Sequence, residues 1–445
     1  MKYRISKVEF KNYRNFKEEQ VINFKTSKRF KDTYENDYVE WTSSKKENYN
    51  QVISLLGPNA SGKSNVIDLF YVYWKFLNAN MMYNPNKNDS KDISTTFGVP
   101  FFFNDINKEF EFRIYFESEK VDFCHEIISK IENNQILIKE NIKILRTKGS
   151  SKYVNETIWS FDESQKSSKL FNNFFMIREA IKRINLMEMF ENEKGKQTIN
   201  FRESEKGKIK RDIFEVLLSV SENIITSNKT NMNVQEGIFG VTNSINVLLE
   251  NGFDLKKLKT IIKKSLNSID NKIEDCEISK LKDTKFSQYN SNEPYYIKSL
   301  KIRGNPFAIP PEMILSNGTI IFLDHILMIL LIAQNGSNER KYLFMDEIGS
   351  SWHVALTKVF VDLFKFNVLE NITLFFSSHQ PEVSDEIRKD GVNVITRSGN
   401  ITNLSDFRNI RSEIKFSKNY SSEIYDAFNS YPDLSNISEL VEEMI

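Results

Sequence analysis

The sequence predicts an α/β fold with a helical insertion, and three features carry that prediction. A short apolar run over 52–56 leads through a glycine-rich turn into an amphipathic stretch, which is the order strand, loop, helix. Between about 170 and 282, apolar residues recur at steps of three and four, the spacing of helices. Beyond that region, short apolar runs alternate with helical patterns up to residue 379. A sheet covered by helices and interrupted by a helical segment fits all three features.

The length of 445 residues exceeds what one core usually holds, so we expect several compact regions. Residues 1–165 would form an N-terminal lobe with antiparallel strands and the glycine-rich turn, 166–290 the helical insertion, and 291–445 a C-terminal lobe. Lys and Arg number 61 against 60 Asp and Glu, so no whole-chain field attracts nucleic acid. A local basic surface is still compatible with that balance.

Two cysteines, Cys124 and Cys276, lie far apart and without the spacing of metal ligands, which excludes a disulfide scaffold and a zinc site. The N-terminus lacks the apolar run of a signal peptide. The longest apolar stretch, 320–333, is interrupted by Asp324 and His325 and is too short to span a bilayer. We therefore expect a cytoplasmic protein without a membrane partner.

The chain begins with alternating apolar residues that predict a half-buried strand over 3–10. The alternation breaks at Ser6-Lys7, where a β-bulge would fit. A polar turn that contains Arg14 closes this segment, and polar residues then fill 26–50 as an exposed excursion. Further strand patterns follow at 100–103, 109–116, 135–146 and 154–161.

The glycine-rich turn over 57–65 has the spacing G-x-x-x-x-G-K-S of a P-loop. Such a loop turns a strand into a helix with its backbone N–H groups facing inward, where they meet phosphate oxygens at the positive end of the helix dipole. Lys63 would supply a positive charge to the β- and γ-phosphates, and Ser64 a hydroxyl to Mg²⁺. The predicted nucleotide-binding residues are Asn59, Ala60, Ser61, Gly62, Lys63, Ser64 and Asn65.

Helical periodicity dominates the middle of the chain, with candidate helices at 171–190, 211–225 and 253–273. Lysine and glutamate are dense in this region. Solvated helix faces explain such charges, and a surface for nucleic acid or a partner protein is the alternative. No heptad repeat is sustained, so a long coiled coil is not expected. A strand pattern returns at 294–302.

Two strand patterns near the C-terminus end in titratable side chains. The run over 342–345 is followed by Asp346 and Glu347. At the end of a strand, Asp346 would bind Mg²⁺, and Glu347 would activate the water that attacks the γ-phosphate. The run over 372–378 is followed by His379. If the two strands are neighbours, His379 would lie beside Glu347, close enough to hydrogen-bond a γ-phosphate.

A helix N-terminus is predicted just before the apolar stretch 320–333. Ser316 and Gly318 lie at that point, and a serine and a glycine there make an end that can bind an anion. An ordinary N-cap is the more common reason for a serine or threonine at Ser316 or Thr319. If the anion is a phosphate, it would be delivered from outside the P-loop.

The order of these motifs resembles that of an ABC-type ATPase head: an N-terminal strand with an Asn-Tyr-Arg turn, the P-loop, a Leu-Ser-x-Gly-Thr signature, the Asp-Glu strand and the Ser-His strand. Within that class the chain is similar to the SMC, RecF and OLD-like branch. It looks most like the stand-alone AAA-family ATPases of bacterial antiphage systems, AbiLi-like or similar to the AriA-like ATPase of PARIS. The resemblance implies a P-loop NTPase that hydrolyses ATP with Mg²⁺, with Glu347 and His379 as catalytic residues and Asp346 and Ser64 at the metal.

The same resemblance implies a homodimer or larger homo-oligomer in which ATP lies between two heads. Arg14 resembles an arginine that lies near the nucleotide, and Ser316 and Gly318 resemble the signature that reaches the γ-phosphate held by a second subunit. After His379 the chain lacks the D-x-D pair of OLD nucleases, so we expect cleavage chemistry to belong to another protein. That partner would be a nuclease or other toxin encoded nearby, with a phage protein as a possible trigger.

Two alternatives stay open at this point. A repair or recombination ATPase of RecF type would act directly on DNA and would need a basic surface across its dimer. A nucleotide-holding scaffold would hydrolyse ATP too slowly for turnover to matter. Membrane transport fits poorly, because the sequence has no permease span.

Overall fold

The structure is a computed structural model, in which two compact units are distinguished. The first comprises Met1–Thr226, Glu339–Ile348 and Leu363–Ile445, and the second comprises Ser227–Asn338 and Gly349–Asp362. The residues described are 2–30, 38–42, 46–78, 103–132, 135–147, 155–162, 205–226, 238–280, 294–334, 339–365, 369, 371–407 and 415–421.

The strands and helices are labelled here in chain order. The strands are β1 (Tyr3–Lys11), β2 (Gln20–Asn23), β3 (Tyr38–Thr42), β4 (Lys46–Asn50), β5 (Val52–Leu56), β6 (Phe110–Ser118), β7 (Val121–Glu132), β8 (Gln135–Thr147), β9 (Glu156–Asp162), β10 (Ile224–Thr226), β11 (Ile273–Lys280), β12 (Tyr295–Ile302), β13 (Ala308–Ile309), β14 (Lys341–Met345), β15 (Ile372–Ser377), β16 (Val392–Ile395) and β17 (Ile401–Asn403). The α-helices are α1 (Lys63–Asn78), α2 (Glu205–Asn223), α3 (Ile238–Glu250), α4 (Leu255–Ile269), α5 (Asn317–Gln334), α6 (Val354–Asp362) and α7 (Phe416–Ser421).

An antiparallel sheet with the order β2-β1-β6-β7-β8-β9 forms one layer of the first unit. Alternate side chains of β1 and β6 are buried, as the sequence pattern predicts. The register of β1 against β6 shifts between Ile5 and Lys7, which confirms the predicted β-bulge at Ser6-Lys7. Because the bulge adds one residue to the strand, the apolar side chains before and after it all face the core, although their alternation along the sequence is interrupted.

A second sheet, ordered β10-β14-β15-β5-β16-β17, carries the P-loop strand β5 near its middle. The neighbours from β10 to β16 are parallel, and only β17 runs antiparallel to β16. All side chains of β5, β14 and β15 are buried, as expected for strands covered on both faces. These sheets and helices confirm the predicted α/β fold class.

One apolar core joins α1 to both sheets of the first unit. Phe70 of α1 stacks on Phe344 of β14 with ring centroids 3.9 Å apart, and it also packs against Phe375 of β15. On its other side, Tyr73 packs against Phe112 of β6. The helix that follows the P-loop is therefore fixed by aromatic contacts along its length.

The second unit is built from α3, α4, α5 and α6 with the three-stranded sheet β11-β12-β13. Asp254 caps α4 by accepting a hydrogen bond from the Lys257 N–H at 2.8 Å. The apolar sides of α3, α4 and α5 share a core with β11 and β12. This unit carries the predicted signature at the start of α5.

Among the described residues, α5 is the one helix long and apolar enough to cross a membrane. It spans 18 residues, so the expectation that the apolar stretch is too short was wrong: the helix takes in Asn317–Thr319 and Gln334 as well. Asp324 lies within it and accepts a hydrogen bond from the Ser244 hydroxyl. Its buried side chains are Ile320, Phe322, Leu323, Leu327, Met328, Ile329 and Ile332, and three of them, Ile320, Leu323 and Leu327, belong to the core of the second unit.

Some elements differ from the sequence prediction. The strand β7 was missed, because its buried run includes His125 and Glu126 and so lacks an apolar alternation. Where helical periodicity was expected up to 273, α4 ends at Ile269 and the chain turns into β11. The candidate helix 171–190 lies outside the described residues.

Candidate nucleotide-binding site

The P-loop adopts two left-handed backbone conformations. Ala60 has a φ of 59° and Gly62 a φ of 104°. A side chain at Gly62 would also collide with the amide of Asn15. The sequence places glycine here because both the backbone angle and the close approach exclude a β-carbon.

Lys63 begins α1 and is buried, with its ammonium folded back onto the loop. Its Nζ donates to the backbone oxygens of Gly57 at 2.8 Å and Pro58 at 2.9 Å. Burial lowers the pKa of Lys63 to about 8, and the charges of Asp346 and Glu347 act in the opposite direction. A phosphate group would replace the lost hydration of this ammonium.

The loop residues fit a triphosphate group. The Ser61 hydroxyl oxygen is buried and has no hydrogen-bond partner among the described residues. A buried hydroxyl without a partner costs free energy that a ligand oxygen would recover. Ser64 is exposed beside the buried Lys63, so its hydroxyl is accessible to a cation. In the described part of the chain no three His, Cys, Asp or Glu residues cluster as a metal site, and Mg²⁺ bound with substrate phosphates needs only one or two protein carboxylates.

The two acids follow β14 in a strained turn. The Ser377 hydroxyl donates to Asp346 Oδ1 at 2.5 Å and accepts from the Glu347 N–H at 2.7 Å. The Ile348 N–H donates to the backbone oxygen of Ser377 at 2.9 Å. Glu347 has a φ of 52°, a conformation that costs free energy for a non-glycine residue and that the bonds to Ser377 maintain.

His379 follows β15 and lies beside Glu347, as the sequence predicts for neighbouring strands. Its Nε2 is 3.9 Å from Glu347 Oε1, and both side chains are about one-third exposed. Burial and the charge of Lys63 lower the pKa of His379, while Glu347 and Asp346 oppose that shift. The imidazole is therefore mainly neutral at pH 7, with one N–H to donate.

The order of the parallel strands brings these groups to one edge of the sheet. β15, which leads to His379, lies between the acid strand β14 and the P-loop strand β5. The Ser378 N–H donates to the Leu55 oxygen at 3.3 Å, so the ends of β15 and β5 are joined directly. The carboxyl ends of parallel strands are the usual place for ligands in such sheets.

The turn between β1 and β2 reaches the P-loop through two side chains. Arg14 donates to Asn65 Oδ1 and Asp68 Oδ2, each at 2.7 Å, so it is tied to the first turns of α1. The side-chain amide of Asn15 donates to the backbone oxygen of Ser61 at 2.6 Å and accepts from the Asn65 amide at 2.7 Å. The predicted role of Arg14 beside a nucleotide stays a prediction.

Asn15 is a site residue that sequence reasoning missed. It lies 46 residues from the P-loop serine that it contacts, and no spacing rule connects the two. The polar turn in which it lies was the only available signal. Its amide holds the loop backbone in place, a positioning role for whatever the loop binds.

The signature residues lie in the second unit. The Ser316 hydroxyl caps α5 by accepting from the Thr319 N–H at 3.2 Å and lies 3.0 Å from the Thr319 hydroxyl. Both Ser316 and Asn317 are exposed, and Gly318 is half-buried. The N-cap interpretation is thus correct for Ser316, and its predicted contact with a second subunit's phosphate stays a prediction.

Comparison with known proteins decides the family. A family model described as "AAA domain, putative AbiEii toxin, Type IV TA system" matches residues 52–385, more than half of the chain. The chain belongs to this family. It therefore carries an AAA-type ATPase domain, with the P-loop, Asp346, Glu347 and His379 inside the matched region.

Other comparisons are less informative. No curated protein matches the sequence. Solved structures do match, among them the SMC head domain from Thermotoga maritima, at 12% sequence identity and a TM-score of 0.33. That match covers 90% of this chain and 98% of the other.

ATP binding is expected to weaken as the pH rises above about 8, because Lys63 then becomes neutral in the free protein. Triphosphate binding favours the ammonium form, so it takes up a proton in this range, and the association constant should fall by up to about tenfold per pH unit. Calorimetric titration in two buffers of different ionisation enthalpy measures the uptake. Lys63→Arg keeps its charge at these pH values and should show none, whereas a pH-independent wild-type affinity would contradict the assignment.

Proposed function

We propose that this AAA-family chain is a Mg²⁺-dependent ATP hydrolase of the ABC-type head class. One observation carries the proposal: His379 follows the strand that lies between the P-loop strand β5 and the strand β14 that ends in Asp346 and Glu347. The groups that would bind phosphate, bind the metal ion, activate water and contact the γ-phosphate therefore lie at one edge of the sheet.

Each residue has a defined task in this reaction. Lys63 leaves the loop carbonyls for the β- and γ-phosphates, and the P-loop N–H groups bind their oxygens. Ser64 and Asp346 would hold Mg²⁺, which would supply positive charge to neutralise the phosphate oxygens. Glu347 accepts the proton of the attacking water. His379 donates an imidazole N–H to the γ-phosphate.

The site is completed by a second copy of the chain. The exposed N-terminus of α5, with Ser316 and Gly318, is an anion-binding end whose serine already caps the helix. We assign it to the γ-phosphate held by another subunit, so that two heads, or pairs within a larger homo-oligomer, close around ATP. Light scattering tests this: wild type with ATP and Mg²⁺ should double in mass, whereas Lys63→Ala should not. A wild-type mass that is unchanged by ATP would contradict the shared site.

The nucleotide state would control a partner effector in antiphage defence, in the cytoplasm. The family description, which names a putative AbiEii toxin and a Type IV toxin–antitoxin system, supports a role beside a toxin or nuclease encoded nearby, with a phage protein as trigger. The order of the motifs resembles that of AbiLi-like systems and of the AriA-like ATPase of PARIS. Co-purification with the products of adjacent genes in ATP, ADP and nucleotide-free conditions tests this role. Failure to co-purify in every state would contradict it.

A second candidate, a RecF/SMC-like ATPase that acts on DNA, is favoured by the surface of α4. Lys256, Lys257 and Lys264 are exposed there, and a bound phosphate backbone would neutralise these charges, two of which lie in the first turn, at the positive end of the helix dipole. Duplex DNA should then stimulate ATP turnover several-fold, with a binding constant that falls steeply with salt. Reversing these three lysines to glutamate should abolish the stimulation and leave basal turnover unchanged. If DNA has no effect on wild type, this candidate is excluded.

A further inference from the structure

One serine hydroxyl at the end of β15 contacts both of the acids that follow β14. Ser377 is fully buried, and its hydroxyl donates to Asp346 Oδ1 at 2.5 Å and accepts from the Glu347 N–H at 2.7 Å. A backbone N–H can only donate, so the hydroxyl proton is left for the carboxylate. A single side chain thus binds the carboxylate assigned to the metal ion and the backbone of the residue assigned as the general base.

The bond to Oδ1 restrains the orientation of the Asp346 carboxylate. The last torsion of an aspartate side chain is broad when nothing restrains it, and a hydroxyl on a buried strand is a fixed partner. Mg²⁺ demands near-ideal octahedral geometry, and the groups that hydrogen-bond a ligand carboxylate orient it. Loss of the Ser377 hydroxyl would therefore remove a restraint on this carboxylate without removing the carboxylate itself.

The second bond acts on the backbone of Glu347, whose φ is 52°. That angle is uncommon for a residue with a side chain, and it persists only where surrounding bonds maintain it. The next residue is held from the same strand, because the Ile348 N–H donates to the backbone oxygen of Ser377 and the Ser378 hydroxyl donates to the Ile348 oxygen, each at 2.9 Å. The bond to the Ser377 hydroxyl lies at the strained residue itself.

We infer that Ser377 is a positioning residue, whose hydroxyl sets the metal-binding carboxylate and the general base relative to each other. The inference rests on the proposed ATPase, in which Asp346 would hold Mg²⁺ and Glu347 accepts the proton of water. Without the hydroxyl, the backbone at Glu347 relaxes toward a right-handed angle and its carboxylate moves away from the water. A displacement of about 1 Å in an active site can lower the rate about 10²-fold. Ser377 acts through the two acids and not on the substrate.

Ser377→Ala in the full chain should lower kcat about 10²-fold. Calorimetry should show an unchanged affinity for ATP without Mg²⁺, because the P-loop is untouched, and a smaller gain in affinity when Mg²⁺ is added. A purely structural role would weaken ATP binding in both conditions. Ser384→Ala is the matched control, because Ser384 is also fully buried and its hydroxyl bonds that of Ser54, a residue without a role in the reaction. It should leave kcat and both affinities unchanged.

The effect on the general base has a test of its own. In a Glu347→Gln background, Ser377→Ala should lower kcat much less than it does in wild type, because the base that it positions is already absent. An equal loss in the two backgrounds would show that Ser377 does not act through Glu347 and would overturn the inference.

The outcomes separate this inference from the proposed function. A Ser377→Ala protein with wild-type kcat and a wild-type response to Mg²⁺ overturns the inference and leaves the ATPase intact. Absence of Mg²⁺-dependent turnover in wild type overturns both. If Ser377→Ala does not fold, Ser377→Cys decides in the same way, because a thiol is similar in size and only a weak donor and acceptor.

Discussion

Replacement of Glu347 by glutamine should lower kcat about 10²–10⁴-fold, the contribution of a positioned general base. Glutamine has nearly the same shape but no carboxylate to accept the proton of the attacking water. The hydrogen bond from the residue 347 N–H to Ser377 does not involve this side chain, so the turn after β14 should keep its conformation. ATP should still bind, and a variant that binds ATP without hydrolysing it should accumulate as the ATP-bound dimer. Single-turnover phosphate release and light scattering measure the two effects.

A matched control is Glu250→Gln, an exposed glutamate at the end of α3. It should leave both turnover and mass unchanged. Undiminished turnover in Glu347→Gln would show that another group accepts the proton, and His379 would be the next candidate because it lies 3.9 Å from Glu347. Loss of ATP binding in the same variant would instead assign Glu347 to the nucleotide pocket.

The sequence predicted those parts of the site that depend on local order. A strand, a glycine-rich turn and a helix in succession place Lys63 at a helix N-terminus whatever the rest of the chain does. The Asp-Glu and Ser-His strands were recognisable as apolar runs, and the proximity of Glu347 and His379 was predicted on the condition that these strands are neighbours, as β14 and β15 are. The pairing itself depends on long-range contacts, and the roles of the two side chains rest on chemistry that kinetics tests.

What the sequence did not predict depends on long-range contacts. Asn15 reaches Ser61 from a turn in another sheet, and the alternation of β1 gives no sign of that approach. The left-handed angle at Glu347 is imposed by Ser377, thirty residues away, because no local signal favours it in glutamate. The burial of Trp352 was not predicted, because its ring partners Phe322 and Phe360 lie on α5 and α6.

The strand β7 was hidden for a related reason. In β7 the buried positions include Cys124, His125 and Glu126. His125 is satisfied there by Tyr73 at 2.9 Å and Glu140 at 2.6 Å, so the strand does not need apolar residues at those positions. A buried network of hydrogen-bonded polar side chains can replace apolar contacts, and it leaves no alternation of apolar and polar residues in the sequence. Strands in the middle of a sheet are therefore the hardest to predict from such patterns.

Mixed dimers provide the sharpest test of a site built from two copies. In one arrangement, Ser316→Ala and Lys63→Ala are carried by different subunits. The two damaged groups then meet in the same shared site, and the other site keeps a normal P-loop and a normal signature. About half of the wild-type turnover per dimer should remain, if the intact site works independently of the damaged one. In the second arrangement both changes are in one subunit, each site loses one group, and turnover should fall close to that of the doubly mutated homodimer.

A self-contained site predicts the reverse order, because the subunit without changes would then keep a complete site only in the second arrangement. The comparison is therefore between two proteins with the same two substitutions, which removes general effects of either change on folding. Two affinity tags and sequential purification isolate the mixed species. Equal losses in both arrangements would contradict the shared site, since Ser316 would then contribute nothing to the site of its partner, and its hydroxyl would serve α5 only as the N-cap.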